Sequence, residues 1–360
     1  MVLVLAQILL LANSLNNSSL SANFADSVLR PLIGNMKTIA LESLFFNAED
    51  KAKLVVYKFA SPKEQIFSQN SSKTEAAVSP DMDLISIPVN SKLDPLEGEG
   101  VWQPIDSSLF PQTTVLARSL IRPDNERPYA IVALVKINMK LLRLGAVAGI
   151  SEPGGSVGHR GPGLIPIDIQ KAGSLIAAFN GGFQQKDGAY GMIVGNQVYL
   201  PLKWGLATLV IDKDSNLKIV DYEGQNLGNG NLVMRQNGAM LVQDSKIIPE
   251  IADNQYKLWG RTVTNSMYTW RSGIGITKDG NLIYAVGPSL VPETLASALL
   301  SAGAVNAMQL DINPYWVRFV IFNSLSAGKY KHYSLLKDMY DGGENFLHGY
   351  QKDFFYLFKR

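Results

Sequence analysis

The pattern of apolar and polar positions changes character near residue 98. Within residues 26–60, apolar side chains recur at helical spacing (Val28, Leu29, Leu32, Ile33, then Ile39, Leu41, Leu44, Phe45), interrupted by Pro31 and Gly34. Residues 61–96 turn to Ser, Lys, Asn, Asp and Pro, as in SPKEQIFSQNSSKTEAAVSPDMD, which reads as a tether or exposed linker. Beyond the boundary the texture is that of strands: YAIVALVKINM, then ATLVIDKDSNLKIVDY with a turn at residues 212–216. LVMRQNGAMLVQDSKII and SGIGITKDGNLIYAV each read as a hairpin, turning near Asp244 and at Lys278, Asp279 and Gly280. Helical spacing returns in PETLASALLSAGAVNAMQLD, where Pro292 suits the first turn, Glu293 the positive end and Gly303 the stop. A strand then leads into Asp311. Many hairpins with few helices between them predict an α+β domain, built on a large mixed or mostly antiparallel β-sheet with flanking helices.

The N-terminus begins with an apolar run over residues 2–12. About a dozen residues are too few to span a bilayer but match the core of a signal peptide, with cleavage expected near Ser14, Ala22 or Ala25. A truncated membrane anchor and an ordinary buried helix remain open for the same residues. The expected layout is a signal peptide or anchor over 1–25, a helical segment and polar linker over 26–97, and the main domain over 98–360. Secretion or attachment to the cell envelope follows, with membrane contact only through that N-terminal anchor.

Composition narrows the chemistry. Hydrophobic residues make up 46% and charged residues 18% of the 360, the balance of a globular chain. The net charge is +2 and Lys and Arg form no run, so the footprint of a nucleic-acid binder is missing. There is no cysteine, which removes disulfides, thiolate nucleophiles and Cys-type zinc sites. The three histidines, His159, His332 and His348, lack helical metal-ligand spacing. Proton transfer therefore falls to carboxylates. Walker loops, Gly-x-Ser-x-Gly elbows and Rossmann fingerprints are lacking in the expected context.

Four stretches hold polar residues where the pattern calls for apolar ones. In SLIAAFNGGFQQKDG an apolar strand ends on Asn180, Gly181 and Gly182; paired glycines permit a sharp turn or a close approach to a ligand. VMRQNGAML places Arg235 and Asn237 inside an apolar hairpin, and TWRSGIGIT places Arg271 before a Gly-Ile-Gly strand. A buried arginine needs a carboxylate partner or an anionic ligand, and either would do. AMQLDINPYW ends a buried strand on Asp311 and follows it with Asn313, Pro314, Tyr315 and Trp316. Tyr315 and Trp316 can stack on a sugar ring or pack in the core. No cofactor is expected; a divalent cation at Asp311 and Asn313 would be chemically reasonable, but two oxygen ligands are too few to assert it.

In this order, AAFNGGF, RQNG, RSGIGITKDGNLIYAV and LASALLSAGAVNAMQLD resemble the phosphodiester glycosidase domain family. The resemblance runs from about residue 98 to Asp311 and onward. It implies a glycan phosphodiester as substrate, specifically a sugar-1-phosphodiester cleaved at its C1–O–phosphate bond. The matched motifs imply Asp311 as acid/base or nucleophile and Arg271 as a catalytic residue that holds the phosphate together with Arg235; Asp187, outside those motifs, is the candidate second catalytic carboxylate. Asn180, Gly181, Gly182, Arg235 and Asn237 would line the substrate by the same resemblance, and Asn313, Tyr315 and Trp316 would form a wall where the chain departs from it. The glycines and serine that follow the family's aspartate are replaced here by Ile312, Asn313, Pro314, Tyr315 and Trp316. The rival reading is a non-catalytic carbohydrate-binding or envelope-polysaccharide assembly protein using the same cleft.

Overall fold

The computed structural model describes residues 30–59, 66–69, 77–79, 81–154, 158–227, 230–252, 259 and 268–360. The expected signal peptide or anchor lies outside the described residues, as do parts of the linker. Two helices, Arg30–Ile33 and Asn35–Phe59, meet at Gly34, the breaker seen in the pattern. Gly34 has φ +80°, a conformation that favours glycine. Among the described residues no helix is long and apolar enough to cross a membrane.

The rest is β-rich, and the sheet is divided. Among the described residues three sheets of eight, five and five strands, plus a two-stranded ribbon, replace the single large sheet expected. Every strand pairing in the three larger sheets is antiparallel; the short ribbon of Ala77–Val78 with Thr113–Thr114 is parallel, as is the isolated bridge of Glu99 with Leu120. Helices flank this core sparingly.

The eight-stranded sheet holds Lys246–Ile247, Met240–Gln243, Ala304–Ile312, Thr269–Thr277, Leu282–Leu290, Val132–Ile137, Leu116–Ile121 and Gln103–Ile105, in that order. Its central hairpin is the one expected at Lys278–Gly280. Alternation along Leu282–Leu290 sends Leu282, Tyr284 and Val286 into the main core and Ile283 and Ala285 to the other face. There Leu295, Ala296, Ala298 and Leu299 of the helix Pro292–Ser301 cover them. The main core is shared with the inner faces of both five-stranded sheets, through Phe179, Phe319 and Phe355 of one and Leu209, Ile211 and Val233 of the other. One apolar interior therefore sets the positions of all three sheets.

The turn expected near Asp244 is present, between Met240–Gln243 and Lys246–Ile247, but the stretch around Arg235 is not an arm of that hairpin. Asn231–Gln236 pairs with Leu206–Asp212 and Met192–Val194, whereas Met240–Gln243 pairs with Ala304–Ile312. They are not a hairpin: Asn237, Gly238 and Ala239 carry the chain from one sheet to another. Residues 81–100 lie against the domain, with Met82 and Ile87 buried beside Trp102, whose indole N–H donates to the carbonyl of Ile85 at 3.1 Å. Glu99 and Arg122 form a buried ion pair at 2.7 Å.

A carboxylate-centred candidate site at converging strand ends

The strands Leu175–Asn180, Asn231–Gln236 and Ala304–Ile312 end at one place, where Thr269–Thr277 and Phe354–Lys359 begin. The apolar interior forces these ends together, and each carries polar residues just past its apolar stretch.

Asn180 is the fixed point. Its side-chain amide N–H donates to the Ser272 hydroxyl at 2.9 Å and to the carbonyl of Gly181. Its oxygen accepts from the Tyr284 hydroxyl at 3.0 Å and from the backbone N–H of Arg318 at 3.1 Å. Ser272 donates onward to the backbone carbonyl of Asp311 at 2.9 Å, and the N–H of Asp311 donates to Gly181 at 3.0 Å. The Asn-Gly-Gly loop and the strand-terminal aspartate are thus locked to each other.

The glycines have a steric cause. A side chain on Gly181 would collide with the Asp353 carboxylate, and one on Gly182 would reach 2.6 Å from Nη2 of Arg235. Asp353 accepts from Nε of Arg235 at 2.8 Å, from its Nη2 at 3.0 Å, and from the N–H of Gly182 at 3.0 Å. The remaining Arg235 hydrogens go to the carbonyls of Tyr190, Gln236 and Phe183. An arginine has five N–H donors, so the guanidinium expected to hold a phosphate is fully engaged by the protein. Asn237 is engaged likewise: its oxygen accepts from Phe183, and its NH₂ donates to the carbonyls of Gln309 and Leu310.

Arg271 is buried, with Nε donating to the carbonyl of Leu290 and Nη1 to the carbonyl of Trp259 and the side chain of Gln309. Burial lowers it to about 9. These partners tie Arg271 to the outer, helix-covered side.

Asp311 is 4% exposed. One carboxylate oxygen forms an ion pair with the ammonium of Lys352, and the other accepts from the N–H of Ile312 at 2.8 Å. Burial raises its carboxyl to about 6, against the opposite pull of Lys352, and the charge of Asp187 adds to the rise. Asp187 sits in a single turn, Gln185–Asp187, within electrostatic reach. Glu152 accepts from the N–H of Gln185 at 2.8 Å, and burial raises its carboxyl too, while Lys352 lowers it.

The loop after Asp311 folds on itself. Asn313 has φ +88°, and its side-chain oxygen accepts from the N–H of Tyr315 at 3.0 Å. Trp316 stands over the Lys352 ammonium, 4.5 Å from ring centre to nitrogen, with Tyr315 4.4 Å away ring to ring. A cation between Asp311 and Asn313 does not fit this arrangement, because Lys352 already faces the Asp311 oxygen and Asn313 is turned to its own loop. Among the described residues no cluster of three or more His, Asp or Glu is placed to hold a metal.

Lys352, Asp353, Glu152 and Arg318 escaped the sequence reading. For three of them a signal existed: Lys352 and Asp353 sit directly before the apolar strand FFYLF, and Arg318 interrupts WVRFVIF as Arg235 and Arg271 interrupt theirs. Glu152 lies in a Gly/Pro loop and gives no such sign.

Residues 173–311 match the family model described as phosphodiester glycosidase. No curated protein matches the chain. Among solved structures, the catalytic domain of zebrafish N-acetylglucosamine-1-phosphodiester alpha-N-acetylglucosaminidase, auto-inhibited by its pro-peptide, is similar at 12% identity and TM-score 0.44, covering 83% of this chain and 98% of that one. A hypothetical protein from Synechocystis is similar at 12% identity and TM-score 0.37, covering 68% and 62%. An exported protein from Burkholderia pseudomallei is similar at 10% and 0.29, covering 64% and 74%.

Proposed function

We propose that this chain, whose residues 173–311 match the phosphodiester glycosidase family model, hydrolyses a sugar-1-phosphodiester at the bond between the anomeric carbon and the phosphodiester oxygen. The observation that carries the reading is Asp311: a buried carboxyl at the last position of the family match, raised to about 6 and set against Lys352. Cleavage at an anomeric carbon passes through an oxocarbenium-like state, which a nearby carboxylate stabilises. Water adds its oxygen to C1, the C1–O bond breaks, and the phosphate monoester leaves, with the water's proton passing to a base or to solvent. A carboxyl with a pKa near 6 changes protonation state close to neutrality, as acid–base work requires. Glu152 and Asp187 are the candidates for a second carboxylate.

In this reading Asn180, Gly181, Gly182, Arg235 and Asn237 shape the site and hold Asp311 in place. Arg271 supports it from the outer side, and Tyr315 and Trp316 form the wall above Lys352. The apolar run over residues 2–12 supports action outside the cytoplasm. A reporter fused after Arg360 and active only in the cytoplasm would sink that part.

The decisive assay is turnover of a panel of sugar-1-phosphodiesters. Asp311→Asn should lower the chemical step by about 10²–10⁴-fold while leaving ligand affinity largely intact. The closing of the Asp311 carboxylate by Lys352 beneath Trp316 favours the non-catalytic glycan-binding alternative. That alternative prevails if the wild type binds glycans, turns over no member of the panel, and Asp311→Asn binds equally well.

A further inference from the structure

Three arginines approach the converging strand ends, and they differ in how their donors are used. Arg235 has all five N–H groups on protein acceptors, and Arg271 is tied to the outer side. Arg318 is 1% exposed, and only its Nη2 is bonded, to the carbonyl of Tyr315 at 3.0 Å. Among the described residues its Nε and Nη1 have no hydrogen-bond partner. The hydroxyl of Tyr350, also buried, has none either. Among the described residues no carboxylate lies within ion-pair distance of Arg318.

Aromatic faces hold the guanidinium in place: its carbon is 4.6 Å from the ring centre of Tyr350 and 4.9 Å from that of Tyr340. Such faces attract the charge but leave the in-plane N–H groups unsatisfied. A buried donor without a partner is costly and commonly marks the place of a missing water or ion. Here the three hydrogens on Nε and Nη1 and the Tyr350 hydroxyl are all left over, on two side chains in ring contact. Tyr350 lies within electrostatic reach of Arg318 and of the carboxylates of Asp311 and Asp353. The site is therefore donor-rich and within the field of the buried carboxyl.

We infer that Arg318 and Tyr350 form an anion subsite near Asp311 that takes the phosphate group of the substrate. In naming the phosphate as the substrate's, the inference rests on the hydrolase reading; anion binding itself does not need turnover. Arg318 follows directly on the Asn-Pro-Tyr-Trp stretch, and Tyr315 supplies the carbonyl that fixes its one bonded nitrogen. The altered loop would then serve to set this arginine where Arg235 is already engaged.

The test is calorimetric titration of the whole chain with inorganic phosphate and glucose 1-phosphate, with methyl glucoside as the neutral control. Arg318→Met should weaken phosphate binding by about 10–100-fold, the loss expected for charge-assisted hydrogen bonds. Tyr350→Phe should weaken it by about 3–10-fold without lowering the melting temperature of the ligand-free protein, because the lost hydroxyl has no partner there. Lys218→Met, an exposed lysine, should change nothing. Wild type that fails to bind phosphate, or both variants binding it as wild type does, overturns the inference. Should Arg318→Met not fold, Tyr350→Phe decides alone. Arg318-dependent phosphate binding without turnover of any phosphodiester leaves the subsite standing and removes the hydrolase reading. Turnover with wild-type KM in both variants does the reverse.

Discussion

Asp353 and Arg235, 118 residues apart, form a two-point ion pair at 2.8 and 3.0 Å that closes on the backbone of Gly182. Both side chains are buried, at 1% and 0% exposure. The pair joins the C-terminal strand to the sheet that carries Arg235 and leaves room only for glycine between them. Gly182→Ala would set a methyl group 2.6 Å from Nη2 of Arg235, where something must shift. Overpacking of this kind costs about 1–3 kcal/mol, readable as a lower urea midpoint with an unchanged slope. Gly181→Ala, which meets the Asp353 carboxylate more closely, should lose more.

Asp353→Asn keeps the shape and removes the charge. Arg235 would remain buried without its counter-ion, and a loss of about 3–5 kcal/mol is expected. Replacing Asp353 and Arg235 together with apolar residues should cost less than the two single losses combined. A double-mutant cycle in urea checks this, and strict additivity would contradict the pairing.

Asp311 should give the protein a pH-dependent stability of definite sign. Burial raises its carboxyl from 3.8 to about 6, so the folded state binds the proton more tightly than the unfolded one. Its contribution is fully present below about pH 4 and is lost as pH rises through about 6. Roughly two units at 1.36 kcal/mol each make this about 3 kcal/mol. Unfolding between pH 4 and 7 should show that component in wild type and not in Asp311→Asn.

Lys352 pulls the Asp311 carboxyl down from where burial alone would place it. Lys352→Met should therefore move any Asp311-dependent limb in a pH–activity profile to higher pH. An unmoved limb would mean that Lys352 does not act on Asp311. Trp316 shares in the same contact, and Trp316→Leu should weaken it by about 0.5–2 kcal/mol through loss of the cation–π attraction.

Glu99→Gln should leave Arg122 buried without its charge partner and cost about 3–5 kcal/mol. Limited proteolysis should then open the chain between residues 81 and 101 in the variant, whereas wild type resists there. Equal cutting in both would argue that this stretch is not held by the ion pair.

The local elements were legible in the sequence because they depend on neighbours. Period-two alternation and the Asp-Gly turn mark the hairpin Thr269–Thr277 and Leu282–Leu290, while Pro292 and Gly303 bracket the helix Pro292–Ser301. Asn180, Gly181, Gly182, Arg235 and Asp311 stood out as polar or small residues breaking apolar runs. Strand partners were less legible. Met240 follows Gln236 closely, yet the two strands belong to different sheets, because pairing is decided by which apolar faces share the interior.

Only the tertiary structure decided what the singled-out residues bind. Arg235 reads in sequence as an arginine in need of an anion, and that anion is Asp353, a residue from the far end of the chain. Whether an arginine's donors are used up is a matter of three-dimensional counting, and that counting separates Arg235 from Arg318. The protonation of Asp311 is likewise set by burial and by Lys352, neither of which local sequence specifies. The sequence alone determined which positions carry chemistry-bearing groups and on which strands they lie. The packing of three sheets around one core determined which of those groups meet, because charges and donors act over a few ångströms of space and not along the chain.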